Sequence, residues 1–106
     1  MSQPESKGAA QISAAVNGGE TTALAVLDET LARIEAYDAV QPQIWISRAP
    51  AERLRAQAKG IDARIAAGDT LPLAGVPFAV KDNIDVDGFE TTAGCPAFAY
   101  TPAHSA

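Results

Sequence analysis

Lys81 is the residue whose position most clearly suggests chemistry. It follows an apolar, β-prone run at residues 76–80, VPFAV. A strand that is buried on both faces reads as a continuous apolar run. A charged amine at the end of such a strand is costly unless the charge is paired or lost. The stem can pack on the core while the amine reaches water or one of the aspartates that follow, Asp82, Asp85 and Asp87.

The alternative is that Lys81 is a catalytic general base. A serine hydroxyl is a poor nucleophile and needs such a base, and a lysine accepts a proton only when it is neutral. Its free pKa of about 10.4 must therefore fall by roughly 3 units to reach neutrality. Burial on an apolar strand shifts the pKa of a lysine in this direction.

Other reactive side chains do not form a second site. His104 is the only histidine and is expected to face solvent. Cys95 lies in a turn-prone loop without a neighbouring base, which favours a small buried filler over a nucleophile. The spacing of four nearby carboxylates does not fit a calcium loop, and turn chemistry explains them equally well: Asp82, Asp85, Asp87 and Glu90. We expect neither a metal nor a cofactor.

Composition narrows the function classes further. The net charge of −5 does not favour binding to nucleic acid or to anionic membranes. No stretch approaches the roughly 20 apolar residues of a membrane span, and the N-terminus lacks the pattern of a secretory signal. A single cysteine indicates a reducing compartment. We predict a cytoplasmic protein.

Helical patterns occupy most of the first 70 residues. The first helix is predicted at about residues 9–17, with Gly18 as its stop. The second spans residues 21–39, and Thr21 or Thr22 can cap its start. Within it, Glu29 and Arg33 are spaced for a favourable i, i+4 ion pair. Its apolar stripe recurs with a helical period and is expected to pack on a core rather than form a dimer seam: Leu24, Leu27, Leu31 and Ile34.

The third helix is predicted at residues 49–68, with Pro50 in its first turn and Gly68 at its end. Its apolar face comprises Leu54, Ala58, Ile61 and Ile65. Short strands are predicted at residues 44–47 and 76–81.

The irregular segment after Asn83 is longer than a simple connection between elements of a compact domain. We therefore expect it to belong to a functional site or to a larger domain. Because a single buried strand leaves both edges unpaired, we expect residues 1–106 to be the N-terminal portion of a longer domain. Within it, residues 1–8 are expected to be flexible, residues 9–70 to form a helical region with a short strand, and residues 71–106 to form the lysine strand and an active-site loop.

The string at residues 71–94, LPLAGVPFAVKDNIDVDGFETTAG, resembles the amidase signature family. Eight positions match that family's motif in one register: Gly75, Pro77, Lys81, Asp82, Asn83, Thr91, Thr92 and Gly94. The resemblance implies an α/β fold, a mixed β-sheet flanked by helices, of which this chain would supply the N-terminal helical part and the first core strand.

The resemblance also implies that Lys81 is the end member of a Ser–cis-Ser–Lys triad. The segments that carry the two serines in that family are not in this sequence, so residues 1–106 alone are expected to be inactive. Asp82 and Asn83 are expected to hold local loops through side-chain-to-backbone hydrogen bonds. The turn at residues 91–94 is either purely structural or lines the substrate pocket. In the second case the candidate substrate-binding residues are Thr92, Ala93 and Gly94, for which the sequence gives less support than for Lys81.

Within the family, TTAGCPAFAYTPAHSA at residues 91–106 is most similar to allophanate hydrolases. This implies hydrolysis of allophanate to ammonia and carbon dioxide, the last step in the degradation of urea or of s-triazine-derived biuret. The expected partners are a small amide, the remainder of the same domain and a second copy of the chain. Two alternatives remain: another family enzyme, such as the amidase subunit of glutamyl-tRNA amidotransferase, and a non-catalytic helical module for dimer packing.

Overall fold

The computed structural model describes residues 7–106, which form three α-helices followed by a long irregular segment. The helices are α1 (Ala9–Asn17), α2 (Ala23–Asp38) and α3 (Ala51–Ala66), and a short 3₁₀ turn lies at Pro96–Phe98. Residues 1–6, which contain most of the segment predicted to be flexible, lie outside this description. None of the helices within residues 7–106 is both long enough and apolar enough to span a membrane.

Helix α1 has the bounds predicted from its sequence. The peptide N–H of Gly8 donates to Gln11 Oε1 at 2.9 Å, and the N–H of Gly18 donates to Ala14 O at 2.9 Å. These bonds satisfy backbone groups that a helix end otherwise leaves without partners. Val16 is almost fully buried and places this helix against the chain that follows α3.

Helix α2 begins after Thr22, whose Oγ1 accepts a 3.0 Å hydrogen bond from the N–H of Ala25. The threonine cap predicted from the sequence is therefore present. Glu29 and Arg33 form the expected ion pair at 2.9 Å, one turn apart on the exposed face.

Helices α2 and α3 pack on each other. The predicted apolar stripes of both helices are half-buried apart from Ala58, which is buried. This packing agrees with the prediction that the α2 stripe contributes to a core. The buried residues of this core are small, which lets the elements approach closely: Ala15, Val16, Ala23, Ala58 and Ala74.

The two predicted strands are wrong for the part of the chain that the structure describes. Residues 44–47 and 76–81 are irregular, and β-pairing within residues 7–106 is confined to one antiparallel bridge between Thr91 and Tyr100. A strand needs a neighbour for its backbone N–H and C=O groups, and residues 7–106 supply none to either segment. The predicted mixed sheet is accordingly absent from these residues, which are helical and irregular.

Candidate active site

The segment that leads to Lys81 is fastened to helix α1 by polar side chains. Ser13 Oγ donates to the carbonyl oxygen of Pro72 at 2.8 Å. Asn17 Nδ2 donates to Leu71 O at 2.8 Å, and Asn17 Oδ1 accepts from Leu71 N at 3.0 Å. The chain therefore starts towards Lys81 from a fixed point, although its two anchors lie more than 50 residues earlier in the sequence.

Gly75 completes this anchor by close packing. It has a φ of 71°, and an added Cβ would lie 2.9 Å from Val16 Cγ2 and 3.2 Å from Ala23 Cα. Both the backbone conformation and the space exclude a side chain. Glycine at this matched family position thus lets the chain cross the junction of α1 and α2 before it extends to Lys81.

Lys81 is exposed, and so are residues 77–80 before it, with Phe78 86% accessible. The prediction of a buried strand is therefore wrong for the described residues, which do not supply the apolar surroundings expected of a catalytic lysine. Lys81 forms no ion pair within residues 7–106, so the pairing with neighbouring aspartates is not seen there either. The peptide oxygen of Lys81 accepts from Ile84 N at 3.0 Å, which turns the chain directly after the lysine.

Asp82, the residue that follows Lys81, holds the turn at residues 92–94 by hydrogen bonds. Its Oδ1 accepts from Thr92 N at 3.2 Å, its Oδ2 accepts from the Thr92 hydroxyl and from Gly94 N at 3.4 Å, and its peptide oxygen accepts from Ala93 N at 3.1 Å. Three successive amides thus donate to one residue. The loop-holding role expected for Asp82 is present. Asn83, by contrast, is exposed and forms no side-chain hydrogen bond among residues 7–106.

The backbone of this turn is strained. Ala93 has a φ of 51°, and Gly94 follows with a φ of 75°. The left-handed conformation costs a residue that has a Cβ about 1–2 kcal/mol. Such strain persists where surrounding bonds determine the conformation, and the bonds to Asp82 serve that purpose here.

A second carboxylate, Asp85, anchors the outer part of the same loop. Its Oδ1 accepts from Thr91 Oγ1 at 2.8 Å and from the hydroxyl of Tyr100. Thr91 and Tyr100 also exchange backbone hydrogen bonds of 2.8 and 3.1 Å. Thr91 is only 2% exposed, so the first threonine of the motif is part of the loop's interior.

Both carboxylates are held in their charged form by the hydroxyls that donate to them. The Thr92 hydroxyl lowers the pKa of Asp82 below its ordinary 3.8. The hydroxyl of Tyr100, followed by that of Thr91, does the same to the pKa of Asp85. The Asp85 carboxylate in turn raises the pKa of Tyr100 above 10.0. Groups that are charged throughout the neutral range suit anchoring better than proton transfer.

Two open cavities, of about 300 and 370 Å³, flank Thr92. Both are also lined by Ile46 and Glu90. Of the three weaker substrate-binding candidates, Thr92 borders both cavities, Gly94 borders the smaller one, and Ala93 borders neither. Ile46 was not predicted as a lining residue because its β-prone surroundings indicated a strand, and Glu90 was interpreted only as a turn residue.

Two further reactive residues, Cys95 and His104, lie at the surface. Cys95 is exposed, so its prediction as a buried filler is wrong. A turn places it at the surface, where its N–H donates to Thr92 O at 2.9 Å. His104 is exposed as expected. Within residues 7–106, no group of three or more histidine, cysteine, aspartate or glutamate side chains is arranged to hold a metal ion.

Comparison with known proteins places this arrangement in a family. Residues 25–106 match the family model described as Amidase, and the chain therefore belongs to the amidase family. The chain is 44% identical over 86 residues to a glutamyl-tRNA(Gln) amidotransferase subunit of Deinococcus deserti, covering 81% of this chain and 17% of that protein. It is 43% identical over 90 residues to the corresponding protein of a Roseiflexus species, covering 83% and 18%.

A different relative matches over a shorter stretch at higher identity. The urea amidolyase of Saccharomyces cerevisiae is 54% identical over 59 residues, which is 56% of this chain and 3% of that protein. The chain thus spans less than a fifth of the length of each of these three relatives.

Proposed function

We propose that residues 1–106 form the opening part of an amide-hydrolysing domain in which Lys81 is the general base. The observation that carries the proposal is the contact between two parts of the family string, residues 81–83 and residues 91–94. Asp82, adjacent to Lys81, binds three consecutive amides of the turn at residues 92–94. The proposed base and a turn that borders two cavities therefore belong to one hydrogen-bonded unit.

In this proposal, the remainder of the domain supplies the two serines of the triad. The neutral amine of Lys81 takes a proton from the bridging serine, which takes the proton of the nucleophilic serine as that serine attacks the amide carbonyl. The proton then passes to the leaving nitrogen, ammonia departs, and water hydrolyses the acyl-enzyme by the same route. The exposed apolar run before Lys81 is the surface on which the remainder of the domain would pack and desolvate the site.

For the substrate, we propose allophanate. The 54% identity to a urea amidolyase supports this choice, as does the resemblance of residues 91–106 to allophanate hydrolases. Hydrolysis of the acyl-enzyme would release N-carboxycarbamate, which decarboxylates without the enzyme, so that the final products are ammonia and carbon dioxide, as in the last step of urea or biuret degradation. We also propose a cytoplasmic location and a homodimer, the latter measurable by light scattering.

A second candidate is the amidase subunit of a glutamyl-tRNA amidotransferase. The observation in its favour is coverage, since the alignments with such proteins extend over 81–83% of this chain, against 56% for the urea amidolyase. In that case the protein would act as one component of a larger enzyme.

One assay of the full-length protein that contains residues 1–106 separates these candidates. Ammonia release is measured from allophanate and from glutamine, with the wild-type protein, Lys81→Met and, as the matched control, Lys59→Met on the exposed face of α3. We expect release from allophanate that is lost only in Lys81→Met. Release from glutamine alone would instead favour the amidotransferase. Absence of release from either substrate by a folded wild-type protein would favour the non-catalytic module.

A further inference from the structure

We propose that Asp82 is a positioning residue that sets substrate affinity by holding the turn at residues 92–94 in its strained conformation. This inference rests on the proposed function, because it assigns to Asp82 a part in the same reaction. Asp82 acts through the turn, without touching the reacting atoms.

Every amide of the turn donates to Asp82, and the N–H of Gly94 also donates to Thr92 Oγ1, at 3.2 Å against 3.4 Å to Asp82. The N–H groups of Thr92, Ala93 and Gly94 all donate to Asp82, two of them to its carboxylate and one to its peptide oxygen. The Thr92 hydroxyl donates to the same carboxylate. No other carboxylate of residues 7–106 accepts hydrogen bonds from this turn.

These hydrogen bonds offset strain in the backbone of the turn. Ala93 and Gly94 both have positive φ values, of 51° and 75°. Because an alanine disfavours this conformation, the turn should relax once the Asp82 carboxylate no longer accepts hydrogen bonds from the amides of Thr92 and Gly94 on either side of Ala93. Relaxation would move Thr92 and Gly94, which border the cavities.

The bonds to Asp82 also decide which atoms the turn can offer to a ligand. Since Asp82 occupies the three amides, they do not serve as donors to a substrate. The turn therefore affects the smaller cavity through the positions of Thr92 and Gly94, which border it. Misplacement should weaken substrate binding more than it slows the proton transfers assigned to Lys81.

The test compares Asp82→Asn with two variants of its partner, Thr92→Val and Thr92→Ser, in the full-length protein. Asparagine keeps one acceptor oxygen but puts an NH₂ group where Oδ2 accepts from Thr92 and Gly94. Hydrogen bonds to a charged group are stronger than neutral ones, so we expect Asp82→Asn to raise KM about 10-fold or more while kcat changes less. Thr92→Val should also raise KM. Thr92→Ser keeps the hydroxyl, so its KM should lie within about 3-fold of the wild-type value.

The matched control is Tyr100→Phe, which removes a donor to the other anchoring carboxylate, Asp85, and leaves Asp82 and its turn intact. We expect its KM to stay near the wild-type value. An equal rise of KM in Tyr100→Phe would overturn the proposal, because general loosening of the loop would then explain the effect. A fall of kcat at unchanged KM in Asp82→Asn would also overturn it.

Hydrogen exchange at the amides of residues 92–94 provides a readout that does not depend on activity. We expect these amides to exchange faster in Asp82→Asn than in wild type, and unchanged rates would overturn the positioning role. If a folded wild-type protein hydrolyses no amide, the proposed reaction fails, and with it the role of Asp82 in that reaction. Faster exchange together with an unchanged KM would overturn the role of Asp82 and leave the proposed reaction standing.

Discussion

The peptide N–H of Ala23, in the first turn of α2, donates a 2.7 Å hydrogen bond to Oδ1 of Asp62 on α3. The other oxygen of the same carboxylate accepts from Leu24 N at 3.1 Å. One side chain of α3 therefore binds two amides at the N-terminus of α2, where the helix dipole also favours a negative charge. This contact fixes the corner on which Gly75 packs.

We predict that Asp62→Ala destabilises the protein by about 1–3 kcal/mol, because two amides lose a charged acceptor. The measurement is the free energy of unfolding of the full-length protein in denaturant. The control is Asp28→Ala, which removes an exposed ion pair with Arg55 and should cost less than about 1 kcal/mol. Equal losses in the two variants would contradict the assigned role of Asp62.

Gly75→Ala should be strongly destabilising. The new Cβ would lie 2.9 Å from Val16 Cγ2, and the backbone would keep a φ of 71°. Overpacking costs about 1–3 kcal/mol and the left-handed conformation about 1–2 kcal/mol more. Gly60→Ala is the matched control, because Gly60 lies within α3 with open space around it. That change should stabilise the protein by up to about 1 kcal/mol, and thermal unfolding of both variants measures the contrast.

Lys81→Arg should abolish amide hydrolysis as fully as Lys81→Met does. A guanidinium stays protonated at neutral pH and cannot act as the base, and loss of a general base typically lowers kcat about 10²–10⁴-fold. Steady-state kinetics of the folded full-length variants measures this effect. Activity of Lys81→Arg above about a tenth of wild type would be inconsistent with proton abstraction by Lys81.

The anchor formed by Asp85 and Tyr100 should weaken at both extremes of pH. The pKa of Asp85 is lowered in the folded state, so its contribution to stability is complete above 3.8 and is lost as the pH falls through the folded value. The pKa of Tyr100 is raised, so its contribution is complete below 10.0 and is lost as the pH rises through the higher folded value. NMR shifts of the Thr91 amide measured against pH report both transitions. Tyr100→Phe should abolish the alkaline transition.

Cys95→Ser should keep activity within several-fold of wild type. The thiol is exposed, and among residues 7–106 it forms no hydrogen bond to a group that could act as a base. The check is inactivation by a thiol reagent in wild type and Cys95→Ser. Stoichiometric inactivation of wild type alone, with protection by substrate, would assign Cys95 a part in the chemistry.

The sequence by itself determined the features that depend on near neighbours. The Thr22 cap, the Glu29–Arg33 pair and the bounds of α1 each involve groups within four residues of one another, so periodicity and capping rules identified them. The eight motif positions likewise identified the family, and the comparison over residues 25–106 confirmed it. The loop-holding role of Asp82 could be expected as a type of interaction, although its partners could not be named.

Only the tertiary structure decided the contacts between distant residues. Asp62 reaches Ala23 across 39 positions, and Asn17 reaches Leu71 across 54. Because local propensity does not specify which distant groups meet, these anchors were missed. The same limit explains the wrong strand at residues 76–81. Its apolar pattern records a preference for burial and pairing, but a strand forms only where another strand offers its edge, and residues 7–106 leave this one exposed.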